Sequence, residues 1–143
     1  MGGHNHLFAF FPERGSLMEA RPPVDRAQWR RVQLARFLID HRGVRLDEMT
    51  FDEDGRLVDF GITDADLGLL IDAGTPFRTS GCPGSAAPEL SACNRPYGDS
   101  PPSDICSFPF QPAAVDIANI RRQMAGEAVT TFGEESSDPT KKP

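Results

Sequence analysis

The apolar and polar residues between Asp25 and Asp40 recur with the period of an amphipathic helix. Asp25 is placed to cap the N-terminus, Gln28 can complete a capping box three residues later, and Gly43 is a fitting stop. The apolar face consists of residues at helical spacing: Trp29, Val32, Leu34, Ala35, Phe37, Leu38 and Ile39. The pattern predicts a helix that covers a sheet.

Similar signals predict two further helices and a hairpin. Thr63 can cap a short helix that Gly74 ends, and Pro112 suits the first position of a last helix of about twelve residues. Between the first two helices, two short apolar stretches within residues 49–60 flank an acidic turn that ends in Gly55. A glycine in that position is a usual sign of a β-hairpin.

Near the N-terminus, a continuous apolar run, His6–Phe11, is followed at once by the turn-rich segment Pro12–Ser16. Strands that are apolar on both faces belong to parallel sheets covered by helices, so the run predicts a buried strand. The segment after it then lies at the carboxyl end of that strand. In parallel α/β structures ligands bind at this end.

The segment Thr79–Phe110 contains all three cysteines, Cys82, Cys93 and Cys106, and has no helical or alternating pattern over most of its length. Loops of this length are usually functional or disordered, and three thiols in one loop favour function. The spacing Cys82-x10-Cys93-x12-Cys106 matches neither paired zinc knuckles nor a thioredoxin-type CxxC. Neighbouring glycines and arginines supply N–H donors and positive charge, which favour thiolates and anionic iron–sulfur sites.

The residues alone leave several uses of these thiols open. Three thiolates can hold a four-iron cluster with one iron open, or zinc with a fourth ligand from elsewhere. They can also be ordinary thiols of a proline-rich loop, or one disulfide with a spare thiol. An odd number of bunched cysteines fits a reducing compartment better than a disulfide framework. We therefore favour metal or cluster ligation and expect a cytoplasmic protein.

Charge and hydropathy exclude two kinds of partner. The formal net charge is −6, and no basic patch is large enough to repay the release of counterions from nucleic acid. No apolar run approaches the roughly 18 residues that a membrane helix needs, and the N-terminus lacks the basic region and cleavage site of a signal peptide. We expect no nucleic acid and no membrane as partner.

Several stretches, read in order, resemble a known family. They are HLFAFFPERGS, WRRVQLARFLID, AGTPFRTSGCPG and CNRPYGDSPPSDICSFPFQP. Together they resemble the C-terminal part of radical SAM proteins of the biotin-synthase-like type, and the resemblance covers residues 4–124. Enzymes of this family reductively cleave S-adenosyl-L-methionine at a four-iron cluster held by a CxxxCxxC motif. The resulting 5′-deoxyadenosyl radical abstracts hydrogen from the substrate.

The resemblance implies an α/β fold, namely the C-terminal fragment of a partial (β/α) barrel with a β-hairpin, short helices and a long cysteine-bearing loop. Residues 1–45 would form the last barrel strand, Leu7–Phe11, and the closing helix. Residues 46–125 would form a C-terminal extension with the hairpin and the cysteine loop. Residues 126–143, which have little to bury, are expected to be a disordered tail.

The resemblance also implies roles for individual residues. Glu13 and Arg14 would lie at the mouth of the barrel, near the S-adenosylmethionine or substrate end, as cofactor-binding residues. Cys82, Cys93 and Cys106 would ligate an auxiliary iron–sulfur cluster of the [4Fe-4S] type, with zinc as the alternative.

One departure from the family decides what this chain can do alone. The sequence contains no CxxxCxxC motif and no glycine-rich segment before the first strand, so it cannot hold the radical-generating cluster. The expected partner is an N-terminal half, or a subunit, that carries the rest of the barrel. The alternative function is a small non-catalytic module that binds zinc or an iron–sulfur cluster and docks on a partner subunit.

Overall fold

Helices and short strands alternate along the part of the chain that the computed structural model describes. It describes residues 7–78 and 105–130, and of residues 82–83 and 91–93 the backbone alone. The elements are α1 (Arg26–Arg42), β1 (Thr50–Phe51), β2 (Leu57–Asp59), α2 (Asp64–Ala73), β3 (Cys82–Pro83), β4 (Ser91–Cys93) and α3 (Ala114–Met124), with 3₁₀ turns at Leu46–Glu48 and Thr75–Phe77. The expected mixture of helices and strands is therefore present. No barrel is formed by the described residues.

Helix α1 begins and ends where the sequence predicts. The Asp25 carboxylate accepts hydrogen bonds from the backbone N–H groups of Ala27 (2.7 Å) and Gln28 (3.3 Å). Gly43 adopts the left-handed conformation at φ +69° and ends the helix. The predicted capping box is wrong, because Oε1 of Gln28 is buried and accepts no hydrogen bond within the described part of the chain.

The prediction that α1 covers a sheet is also wrong. The helix packs mainly against α3 and the 3₁₀ turn Thr75–Phe77, and less against β2. Each described sheet is a pair of antiparallel strands, which offers too little apolar surface to form a layer of its own. The predicted Trp29, Leu34 and Leu38 are buried, whereas Ile39 is exposed.

The predicted hairpin is confirmed. Strands β1 and β2 pair antiparallel, with Thr50 opposite Asp59. Asp52 organises the turn, since its Oδ1 accepts from the N–H groups of Asp54 (3.0 Å) and Arg56 (2.8 Å). Gly55 has a φ of +76°, a conformation that glycine adopts at no steric cost.

Helices α2 and α3 complete the frame. Thr63 Oγ1 accepts from the N–H of Asp66 (3.1 Å), and Gly74 ends α2 in the left-handed conformation, as predicted. Helix α3 begins at Ala114, two residues after Pro112, and has 11 residues. Ile117 and Ile120 of this helix are buried, whereas Val115 is exposed.

One hydrophobic core joins all these elements. It consists of buried apolar side chains from the three helices, the hairpin and both ends of the cysteine loop: Leu34, Leu38, Met49, Leu57, Phe60, Ile71, Phe77, Phe108, Ile117 and Ile120. A smaller second cluster contains Ala9, Trp29 and Cys106. The buried guanidinium of Arg30 contacts both clusters. It faces the rings of Phe77 and Phe108 and donates to the carbonyl of Cys106.

Within the described residues, the segment 7–11 forms no strand pairing. The carbonyl of Phe10 accepts a hydrogen bond from Val24 N (3.2 Å). A strand needs a neighbouring strand to satisfy its N–H and C=O groups, and the described residues offer none here. Ala9 is buried, whereas Phe8 is 68% exposed.

The residues that directly follow α3 contact this helix. Gln123 on α3 donates from Nε2 to the carbonyl of Val129 (2.7 Å), and Arg122 pairs with Glu127 at 2.8 Å. Residues 131–143 lie outside the described part of the chain. No helix in the described ranges is long and apolar enough to cross a bilayer.

Replacing the α1 cap is expected to destabilise the protein. Asp25→Ala leaves two N–H groups of the first turn without their acceptor, and we expect a loss of about 1 kcal/mol in the free energy of unfolding, measured by urea denaturation. Asp25→Ser keeps a capping oxygen and serves as the control. Equal stability of the alanine variant and the unmodified protein would show that the cap contributes nothing.

Candidate functional site

The cysteine loop, Thr79–Phe110, leaves the core after Phe77 and re-enters it at Phe108. We call this point the base of the loop. Arg78 and Phe108 form an isolated parallel bridge, and the N–H of Phe108 donates to the carbonyl of Phe77 (2.9 Å). Because Phe77 and Phe108 are both fully buried, the base is anchored in the core. The loop therefore leaves the core and returns to it at one point.

The backbone brings two of the three cysteines together. Cys82 on β3 lies opposite Cys93 on β4, in an antiparallel pair with a bulge after Cys82. Directly opposed residues of such pairs have Cα atoms about 4.5–5.5 Å apart. The chain between these two cysteines, ten residues long, therefore brings the backbone of Cys93 back beside that of Cys82. The side chains of Cys82 and Cys93 lie outside the described residues.

Cys106 lies where the loop rejoins the core. Its side chain is fully buried beside Ala9 and Trp29, with Val24 packed against them. A guanidinium N–H of Arg26, at the first position of α1, donates to its sulfur. The structure thus places a cationic donor directly at this buried sulfur.

The carbonyl of Cys106 is held by three donors from one face of α1. They are Arg30 Nη1 at 2.6 Å, Gln33 Nε2 at 3.0 Å and Trp29 Nε1 at 3.4 Å. Gln33 follows Arg30 by three positions and Trp29 by four, and residues at these spacings are neighbours on the surface of a helix. With Arg26 at the sulfur, α1 fixes both the backbone and the side chain of Cys106.

Arg30 is the centre of this arrangement. Its side chain is fully buried, and it donates from Nε to Gln123 Oε1 (2.8 Å), from Nη1 to Gln33 Oε1 (2.9 Å), and from Nη2 to the carbonyl of Ile105 (3.3 Å). Burying a charge without such partners costs several kcal/mol. The hydrogen bonds therefore make the burial of this charge possible, and they tie α1, α3 and the end of the loop together.

Two aromatic rings at the base of the loop face the same guanidinium. The Arg30 Cζ atom lies 5.8 Å from the ring centre of Phe77 and 5.6 Å from that of Phe108. Both distances are in the range of cation–π attraction. The charge thus contacts the segments before and after the loop.

The residues predicted to bind S-adenosylmethionine lie in a different environment. Glu13 and Arg14 are exposed, in a turn where the Glu13 carbonyl accepts from Ser16 N (3.1 Å) and Ser16 Oγ (2.7 Å). The described structure gives these two charged side chains no site to line. Their predicted role stays a prediction.

The donor groups of the described residues bear on the predicted iron–sulfur cluster or zinc. Among them, no three His, Cys, Asp or Glu side chains lie close enough together to hold a metal. Cys106 is fully buried, with a guanidinium N–H of Arg26 at its sulfur. The roles of Cys82, Cys93 and Cys106 as ligands stay a prediction.

The acidic residues near the hairpin serve the local structure. Arg45 pairs with Asp47 through two hydrogen bonds, Nε to Oδ1 (2.9 Å) and Nη2 to Oδ2 (2.7 Å). The hydrogen bond from Arg45 lowers the pKa of Asp47, and the same bond raises the pKa of Arg45. Asp52 is committed to the turn, so these acids form no calcium site.

A groove lies on the face of α1 away from Cys106. It has a volume of about 360 Å³ and is lined mainly by apolar side chains of α1, the hairpin and the N-terminal segment. Ile39, Phe51 and Leu7 are partly exposed there. The ion pair between Arg36 and Asp40 (3.2 Å) borders it.

Sequence reasoning named the cysteines but missed the residues that hold Cys106. Arg26, Arg30 and Gln33 were not distinguished from the polar face of α1, and Gln123 was not singled out on α3. A signal was present, since Arg30 and Gln33 flank Trp29 and Leu34 on the side predicted to be buried. Buried polar residues are informative because they are rare without partners.

No family model, curated protein or solved structure matches this chain.

Replacing the buried arginine is expected to be costly. Arg30→Met keeps the bulk of the side chain but leaves the amide oxygens of Gln33 and Gln123 without their donor, and each orphaned acceptor costs about 1–3 kcal/mol. We expect a loss of about 3 kcal/mol in the free energy of unfolding, measured by chemical denaturation. Arg36→Met, which breaks a partly exposed ion pair on the same helix, is the control and should cost at most about 0.5 kcal/mol. Equal losses in the two variants would refute the central role of Arg30.

The pKa of Asp47 is expected to depend on Arg45. Arg45→Gln removes the charged donor and should move the Asp47 pKa up toward its ordinary value, as followed by NMR titration. Because the pKa of Asp47 is lowered by folding, the contribution of the pair is present above the unfolded pKa and is lost as pH falls through the folded pKa. Arg36→Gln should leave the titration of Asp47 unchanged, and a shift of equal size in that variant would contradict the assignment.

Proposed function

We propose that this chain is the C-terminal region of a radical SAM iron–sulfur enzyme, and that Cys82, Cys93 and Cys106 bind its auxiliary [4Fe-4S] cluster. The observation that carries the proposal is the way α1 holds Cys106. One arginine donates to its sulfur, and three further side chains of the same helix donate to its carbonyl. An ordinary core cysteine requires no such support.

The register of the two loop strands supports a shared site for the other thiols. Cys82 and Cys93 are directly opposed on the backbone. All three cysteines lie in sequence between Phe77 and Phe108, whose backbones are joined by a hydrogen bond. A reducing compartment, the cytoplasm, belongs to the proposal, because cluster ligands must remain thiolates.

In this proposal the chain does not catalyse the reaction alone. A partner, either the N-terminal half of the same enzyme or a separate subunit, supplies the CxxxCxxC cluster, S-adenosylmethionine and the other barrel strands. Residues 7–11 would then pair with a strand of that partner, and Glu13 and Arg14 would face the barrel mouth. The exposed apolar side chains of Leu7, Phe8 and Phe11 support such an association.

A second candidate is a non-catalytic accessory module that binds zinc or an iron–sulfur cluster and docks on a partner subunit. The apolar groove beside α1, which Leu7 also lines, favours this candidate. The two candidates share the cysteine site and differ in the metal and the partner. Zinc with three thiolates would require a fourth ligand.

Anaerobic reconstitution of the full chain with iron and sulfide tests the proposal. We expect the visible absorption of an iron–sulfur cluster and, after reduction, an EPR signal. For a [4Fe-4S] cluster, each chain should bind about four iron and four sulfide ions. Each single variant, Cys82→Ala, Cys93→Ala and Cys106→Ala, should lose most of the bound iron. The triple alanine variant is the matched control for non-specific iron.

Three results would decide against the proposal. The first is a well-folded protein that binds no iron, and the second is iron binding that the triple variant retains. The third is zinc at one equivalent in protein purified from cells, with no iron taken up on reconstitution. That last result would favour the accessory module.

A further inference from the structure

We infer that the apolar groove beside α1 binds a basic amphipathic segment of another protein, in which large apolar side chains are flanked by lysine or arginine. The lining of the groove comes from α1, from the stretch 46–57 and from Leu7. The inference uses none of the cysteines, so it does not depend on the metal proposed above.

Large apolar side chains of the groove remain open to solvent. Leu46 is 63% exposed, Phe51 45% and Ile39 43%, and all three line the groove. Met49 and Leu57, which also line it, belong to the buried core. Neighbouring exposed apolar side chains mark interaction sites, and a volume of about 360 Å³ lies within the range of binding clefts. The groove can therefore accept large apolar side chains of a partner.

The hairpin side of the groove is acidic. The stretch 46–55, LDEMTFDEDG, supplies Leu46, Met49 and Phe51 to the lining and contains no basic residue. Its five acidic residues are all exposed: Asp47, Glu48, Asp52, Glu53 and Asp54. With the arginines at either end included, five acids and two arginines give residues 45–56 a formal charge of −3.

The charges on α1 do not cancel this excess. Arg36 and Asp40, which line the groove, pair with each other at 3.2 Å. Arg31 adds one positive charge and donates to the carbonyl of Leu57 (3.3 Å). The face around the groove thus keeps a net negative charge beside its apolar lining.

Charge complementarity selects the occupant. Opposite charges around an apolar contact favour encounter and discriminate against wrong partners, so lysine or arginine beside apolar anchors fits this face. A second copy related by a two-fold axis would place the acidic stretch against itself, because such an interface joins the same patch of both subunits. Nucleic acid would meet the same repulsion.

The test is an NMR titration of the isotopically labelled full chain with three synthetic peptides. The peptides share one amphipathic pattern of leucines, and their polar positions are all lysine, all glutamine or all glutamate. We expect the lysine peptide to shift the amide signals of Ile39, Leu46 and Phe51. At low salt its Kd should be about tenfold lower than that of the glutamine peptide, and the glutamate peptide should bind most weakly.

Matched variants test the apolar and the charged parts separately. Phe51→Ala should weaken binding of the lysine peptide about tenfold, whereas Leu69→Ala, at an exposed position of α2 outside the groove lining, should not. Glu53→Gln combined with Asp54→Asn should weaken it about threefold at low salt and less at high salt. Asp64→Asn, at an exposed acid of α2, is the control for charge.

Several results would overturn the inference: no binding of the lysine peptide, equal binding of all three peptides, or shifts confined to residues outside the groove. An equal effect of Phe51→Ala and Leu69→Ala would overturn it as well. If Phe51→Ala does not fold, as judged by thermal melting, Leu46→Ala takes its place. A dimer in sedimentation that Phe51→Ala dissociates would assign the groove to a second copy instead. Iron binding plays no part in these outcomes, so the proposed function can fail while this inference stands.

Discussion

The buried guanidinium of Arg30 is the constraint on which the described structure depends. A charge that water cannot reach needs nearly all of its N–H groups paired, so the elements around it must bring oxygens to fixed positions. Gln123 on α3 and the carbonyls of Ile105 and Cys106 meet this requirement. The packing of α1 on α3 and the place where the long loop rejoins the core are therefore set together.

This constraint anchors the end of the loop in the core, and one of the three cysteines with it. Cys106 belongs to the core, whereas Cys82 and Cys93 lie on a two-stranded pair within the loop. Functional groups are commonly carried on loops that a rigid scaffold positions. In the proposed enzyme, the scaffold would fix one cluster ligand in advance and the loop would bring the other two.

The sequence alone predicted the elements whose signals are local. Asp25, Thr63 and Gly55 act on N–H groups or backbone angles within a few residues of themselves, so their effects could be read directly from the chain. The capping box at Gln28 was predicted wrongly, because its side chain lines the groove beside α1 instead. Residues 7–11 have no neighbouring strand within the described part of the chain, and a strand depends on such a neighbour, which no local signal encodes.

For the candidate site, the sequence by itself determined the chemistry that is available: three thiols in one loop, with arginines in the chain before and within it. The tertiary structure decided which arginines matter. Arg26 and Arg30 act on Cys106 across 80 and 76 positions of sequence, and no periodicity of α1 encodes a partner so distant. The partner is chosen by packing, because a buried carbonyl and a buried charge each require the other to offset the loss of water.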